Sequence, residues 1–228
     1  MARACERNFQ FFFGLCKNGG VMSDELATQV LVSQAKAGSS QAVEELCRRY
    51  QHRILAAVRL RLGRGLRRKV ESWDIVQDAM IDAFRRIEAF DFRTEGAFLK
   101  YVNKIVENRI RDAAQRWGAQ RRDIDRELPL GGGDQSADSP VARIADPGLV
   151  TPSKMASLNE DLTQLERALD QLGDDGNEQR ELIIAVKLEG RTYSELAAEL
   201  GISEDAVRMR VNRAMESLTS LFRRLESR

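Results

Sequence analysis

All four prolines of this chain, Pro129, Pro140, Pro147 and Pro152, fall between residues 118 and 156. Proline removes a backbone donor and clashes with the preceding helical turn, so the proline-free remainder can run in long unbroken helices. The proline-bearing stretch, which includes "LPLGGGDQSADSPVARIADPGLVTPSKMA", also holds a glycine triplet and scattered aspartates. No hydrophobic period survives in it, and it has too little apolar surface to offset its chain entropy. It reads as a flexible linker. The predicted fold class is therefore all-α, with two small helical domains. The divisions are a tail at 1–22, a domain at 23–117, the linker at 118–156 and a second domain at 157–228.

Bulk composition narrows the possibilities. Charged residues make up 31% and aromatics 6%, the profile of a helical chain. The net charge is only +1, so any basic surface must be local. Cys5, Cys16 and Cys47 are odd in number and far apart, which favours free thiols in a reducing cytoplasm. No apolar run approaches the roughly 20 residues a spanning helix needs, so no membrane insertion is expected. The opening "RNFQFFFGLCKNGGVMSDELA" lacks the cleavage site of a signal peptide. Because an ordinary helix starts just after Met22, residues 1–21 are read first as the product of a mis-called upstream start codon and second as a genuine mobile tail.

Near the C-terminus, "TYSELAAELGISEDAVRMRVNRA" reads as two helices joined at a glycine. Thr192 and Glu195 stand at capping-box spacing, Gly201 suits a left-handed turn, and Ser203 can cap the next helix, with Glu204 and Asp205 at its positive end. Val207, Val211, Ala214, Leu218, Leu221 and Leu225 step by four and three, so they face a core. This pattern is a helix-turn-helix. On the opposite face lie Asp205, Arg208, Met209 and Asn212, where a recognition helix meets base edges. Arg210 and Arg213 are better placed for phosphates.

The first block carries helical pattern at about 24–37, 40–62, 72–89 and 95–117, with Ser39, Ser72 and Thr94 as caps of the last three. Asp74, Asp78 and Asp82 recur at every fourth position of "ESWDIVQDAMIDAFRRIEAF". Stacked carboxylates can hold metals in helical bundles, but such sites add Glu-x-x-His pairs, and the chain has one histidine, His52. The acidic stripe is better read as a solvated or partner-docking face, with no cofactor. In the following helix Phe98, Val102, Ile105, Ile110, Ala113 and Trp117 read as core. Lys100, Lys104, Asn108, Arg111 and Gln115 form a polar stripe suited to a phosphate backbone and unpaired bases. The basic loop "RLRLGRGLRRKVES" is open between a solvated face and a phosphate contact.

These stretches, in this order, resemble a bacterial RNA polymerase sigma factor of the extracytoplasmic-function (ECF) group. "DIVQDAMIDAFRRIEAF" looks like the polymerase-docking segment, with Asp74-Ile75-Val76-Gln77 as its acid-x-x-Gln hallmark. "GAFLKYVNKIVENRIRDAAQRW" is similar to the helix that reads the −10 element, with Phe98, Ile105, Asn108 and Asp112 at matching positions. "TYSELAAELGISEDAVRMRVNRAMESL" resembles the segment that reads the −35 element, including Arg210 and the Arg213-Ala214 pair. Two positions depart from the pattern: Tyr101 stands where Trp is usual, and Ala206 where Thr or Ser is usual.

The resemblance implies a non-enzymatic initiation factor. It would dock through Asp74, Gln77 and Asp78 on the β′ subunit of core RNA polymerase, and through its C-terminal domain on the β subunit. Promoter DNA would be read as unpaired strand by Lys100, Lys104, Asn108, Arg111 and Gln115. The upstream element would be read as duplex by Ser203, Asp205, Arg208, Met209, Arg210, Asn212 and Arg213. An anti-sigma factor is a further partner the resemblance allows. The main rival reading is a stand-alone helix-turn-helix transcriptional regulator, which would leave the first block unexplained.

Overall fold

The computed structural model describes residues 21–62, 66–92, 96–123, 152–172 and 176–226. Every regular element among them is a helix. The first block consists of α1 (Val21–Lys36), α2 (Ser40–Arg61), α3 (Ser72–Arg85), a 3-10 turn at Ile87–Ala89 and α4 (Ala97–Asp123). The second consists of α5 (Pro152–Asp170), α6 (Gly176–Ile183), a π-helical turn at Ile184–Leu188, α7 (Tyr193–Leu200) and α8 (Glu204–Glu226).

Local chemistry accounts for several ends. Ser39 caps α2 as expected, its Oγ accepting from the Ala42 amide at 3.3 Å. Ser72 does not cap α3. Glu71 holds that position without a side-chain bond, and Ser72 is already inside the helix. Thr94 lies outside the described residues. Both edges expected to be linker are helical: α4 continues past Trp117 to Asp123, and α5 begins at Pro152. The Ala, Gln and Arg residues after Gly118 are good helix formers. A proline in the first turn loses no helical bond, because that amide has no partner anyway.

The apolar faces of the two blocks meet in one continuous core. Leu46, Ile54 and Val58 of α2 belong to the same buried cluster as Leu162, Leu165 and Leu169 of α5, Ile184 and Leu188 of the π turn, and Leu218 and Phe222 of α8. Each such side chain, fully buried, contributes about 1.5–3 kcal/mol. A smaller cluster of Leu182, Ala185, Val186, Leu196, Val207 and Val211 holds the C-terminal helices to one another. Phe98, 1% exposed, anchors the start of α4 against the rings of Tyr50, Phe84 and Phe90, at 5.1, 6.2 and 6.0 Å between centroids.

Candidate nucleic-acid interface

The corner between α7 and α8 forms as its sequence dictates. Thr192 Oγ1 accepts from the Glu195 amide at 3.2 Å, while Glu195 Oε2 accepts from the Thr192 amide at 2.9 Å. Gly201 takes φ 66°, ψ 30°, and the Ile202 amide donates to the Ala197 carbonyl at 3.1 Å. Ser203 Oγ then accepts from the Ala206 amide at 3.2 Å. Val207, Val211, Ala214 and Leu218 are buried, as their spacing requires. Further along, the core position falls to Phe222, four residues after Leu218, with Leu221 only partly buried beside it. The Leu225 side chain lies outside the described set.

With that face buried, Ser203, Asp205, Arg208, Met209, Arg210, Asn212 and Arg213 are all exposed. Arg208 sits above the Tyr193 ring and pairs with Glu204 and Asp205, each at 3.2 Å. Arg210 pairs with Glu178 of α6. Two of the three arginines on this surface, Arg208 and Arg210, are thus held in place by local carboxylates.

On α4, Lys104, Asn108, Arg111 and Gln115 share an exposed face, and Arg111 Nη1 donates to Asn108 Oδ1 at 3.3 Å. Lys100 continues this stripe but differs in setting. Its side chain is 23% exposed and its Nζ donates to Glu195 Oε1 at 2.8 Å. Burial opposes charge on the Glu195 carboxyl, but Lys100 and the Thr192 amide outweigh it and hold the group below the usual carboxylate range. Tyr101 donates its hydroxyl to the Ala83 carbonyl at 2.9 Å and stacks on Phe90 at 4.7 Å. Ile105 and Ile110, expected in the core, are only half-buried, whereas Val106 is fully buried.

Asp74 and Asp78 are exposed on α3, and Gln77 is half-buried between them. Asp82 is set apart from this group, because it binds the Arg109 guanidinium, with Nε at 2.9 Å. Among the described residues no cluster of three or more His, Cys, Asp or Glu could hold a metal ion. A cavity of about 290 Å³ opens beside the acidic pair, floored by Val70, Ile75, Ala113 and Trp117.

Sequence reasoning missed Asn103 and the partners of the basic loop. Asn103 is 5% exposed and donates from Nδ2 to the Leu188 carbonyl at 3.2 Å. A signal for it existed: Leu99, Val102, Asn103 and Val106 have core-face spacing. Arg59 Nε donates to Glu166 at 2.7 Å, Arg61 Nε donates to Glu189 at 2.7 Å, and Arg67 also binds Glu166. In this structure these arginines of the basic segment are partners of the second block. Residues 63–65 lie outside the described residues.

The ECF sigma factor family model matches residues 25–222, which takes in both blocks and their order. The chain belongs to the ECF sigma factor family. It is 28% identical over 198 residues to the ECF RNA polymerase sigma-E factor of Escherichia coli K12, covering 86% of this chain and 95% of that protein. The sigma-E factor of Salmonella typhimurium LT2 is 27% identical over the same shares. A probable RNA polymerase sigma factor, RfaY, of Xanthomonas campestris is 28% identical over 79% of this chain and 40% of its own length. The structure of CnrH in complex with the cytosolic domain of CnrY aligns over 86% of this chain and 96% of that one, at 23% identity and a TM-score of 0.43. As an ECF sigma factor, the chain binds core RNA polymerase and promoter DNA and directs transcription initiation. The stand-alone regulator reading is not favoured, since the family match runs through the first block as well. Among the described residues no helix is long and apolar enough to cross a membrane.

Proposed function

We propose that this sigma factor divides promoter reading between two helices. The block at 23–117 docks on core polymerase through Asp74, Gln77 and Asp78. It captures the separated −10 strand with Lys100, Lys104, Asn108, Arg111 and Gln115. The block at 157–228 holds the −35 element as duplex, with Arg208, Met209, Asn212 and Asp205 at base edges and Ser203, Arg210 and Arg213 at the phosphates. The protein acts in the cytoplasm and has no catalytic role of its own, the polymerase supplying the chemistry.

One observation carries this reading. Two exposed polar stripes lie on separate helices, α4 and α8, each backed by a buried apolar face of the same helix. An exposed acidic patch stands apart on α3. Arg and Asn at such positions can pair with base edges, and Lys with phosphates. Run-off transcription with core polymerase on a library of promoter fragments tests it. Promoter-dependent initiation that requires the added chain supports the proposal. Core binding that is unchanged when Asp74 and Gln77 are both replaced by Ala removes the docking assignment.

A further inference from the structure

We infer that the cleft walled by α2, the start of α3 and α5 is a binding site for a nucleoside polyphosphate. It encloses about 750 Å³, a size within the roughly 300–1,000 Å³ of small-molecule sites. None of its lining residues belongs to the two promoter-reading stripes or to the acidic docking patch.

The lining is built around arginine. Arg59 enters from α2, Arg67 and Arg68 from the segment before α3, and Arg167 from α5. Glu71, Glu166 and Asp170 also line the cleft, so four guanidiniums meet three carboxylates, a surplus of one positive charge. Where the charge sits matters more than its sum. Glu166 Oε1 receives both Arg59 Nε and Arg67 Nη1, so one carboxylate serves two guanidiniums. Arg59 also donates to Asn159 Oδ1 at 3.1 Å and Thr163 Oγ1 at 2.7 Å, which fixes its plane. Arg68 and Arg167 are exposed, and neither side chain makes an ion pair or hydrogen bond among the described residues. A guanidinium carries five N–H donors in a planar fork that matches phosphate oxygens. Two forks without partners, beside two that share one carboxylate, suit a ligand with several anionic oxygens. Enclosure adds to this, because the attraction strengthens where the walls displace water.

Trp73 supplies the other half of the site. Its half-buried ring packs against the core and, with Val70 and Leu55, lines the same cleft. A nucleobase stacks on such a ring whatever its identity. Glu71 and Asp170 are exposed members of the lining. They can accept from ribose hydroxyls or base amino groups, whereas they repel a bare polyphosphate. The chemistry therefore favours a nucleotide with two or three phosphates over an inorganic polyanion. The enclosed shape favours a single nucleotide over a continuous strand. Because the walls come from both helical blocks, a bound ligand stabilises the folded chain by mass action.

The test titrates the full chain with ATP, GTP, inorganic tripolyphosphate and a short oligothymidine strand. Isothermal titration calorimetry at fixed salt reads binding, and thermal unfolding runs in parallel. The expected result is saturable one-to-one binding of at least one nucleotide, tighter than tripolyphosphate, with a raised unfolding midpoint. Arg68→Ala combined with Arg167→Ala should weaken nucleotide binding roughly tenfold or more, the worth of a lost charged hydrogen bond. Both side chains are exposed, and circular dichroism checks that helicity is unchanged. Trp73→Leu should weaken nucleotide binding roughly fivefold or more, the worth of a stacked base, and leave tripolyphosphate unaffected. Absence of saturable nucleotide binding overturns the inference, as does binding that survives the loss of both arginines. Tripolyphosphate that binds as tightly as the nucleotides, with no effect of Trp73→Leu, overturns the nucleoside part. Oligothymidine that binds through these arginines while neither nucleotide does assigns them to a nucleic-acid strand and overturns the small-molecule site.

Discussion

Arg208 places its guanidinium carbon 5.6 Å from the centre of the Tyr193 ring, so the first helix of the helix-turn-helix supports an exposed side chain of the second, one proposed above to meet base edges. Glu204 and Asp205 pair with the same guanidinium, each at 3.2 Å. The aromatic face orients Arg208 without competing with DNA, whereas the carboxylates compete with it and repel phosphates. Exposed cation–π contacts are worth about 0.5–1 kcal/mol, and exposed ion pairs about 0–1 kcal/mol. Tyr193→Leu should therefore weaken binding to the −35 duplex a few-fold, and Glu204→Gln should strengthen it modestly. Fluorescence anisotropy on the isolated duplex checks both signs.

Two glycines with the same backbone sign should differ in what they tolerate. Gly201 has φ 66° and open space where a Cβ would stand, so Gly201→Ala meets only left-handed strain, about 1–2 kcal/mol. At Gly96 the added Cβ also presses on the Gly190 backbone of the other block. Gly96→Ala should cost more than Gly201→Ala in denaturant unfolding. It alone should also raise the radius of gyration.

Acid should loosen the chain from the Glu195 side. The folded-state carboxyl of Glu195 lies below its ordinary value of 4.5. Its charge therefore stabilises the fold above that value, and the contribution is lost as pH falls through the folded pKa. Glu45 and Glu199 are shifted the same way, each mainly by a hydrogen bond from an arginine. Thermal midpoints should hold steady above about pH 5 and fall below it. Glu195→Gln should lower the plateau and flatten part of that fall.

Cys47 should be chemically silent in the folded state. It is 4% exposed, and burial, with a smaller push from Glu44, raises its thiol to about 12. The thiolate is the reactive form, so alkylation at neutral pH followed by mass spectrometry should leave Cys47 unmodified until denaturant is added. Modification in native buffer would show that α2 opens readily.

How much of this was legible depended on whether the information was local. The capping box at Thr192, the turn at Gly201 and the Val207–Leu218 seam rest on contacts within a few residues, and each formed as its spacing required. The exposed stripe at Lys104, Asn108, Arg111 and Gln115 followed from helical period alone. Lys100 has the same period but meets a carboxylate far away in the chain, which no local pattern encodes. The same holds for Arg59, Arg61 and Arg67, whose partners belong to the second block. The π turn was hidden too. Its Glu189 amide bonds the Ile184 carbonyl at 3.0 Å, one residue further than an α-helix allows, and no residue type marks such a shift.

The division of promoter reading between α4 and α8 is tested most directly by permanganate footprinting of open complexes on duplex and artificially bubbled promoters. Each good bidentate base contact is worth roughly 1–3 kcal/mol of discrimination. Arg208→Ala should reduce opening of the duplex promoter and relax preference at the upstream element, yet leave the bubbled template open. Asn108→Ala and Lys104→Ala should leave upstream duplex recognition intact and lose reactivity on both templates, because the unpaired strand is no longer held. If Arg208→Ala fails on the bubble as badly as Asn108→Ala does, the two helices do not divide the work and the account is wrong.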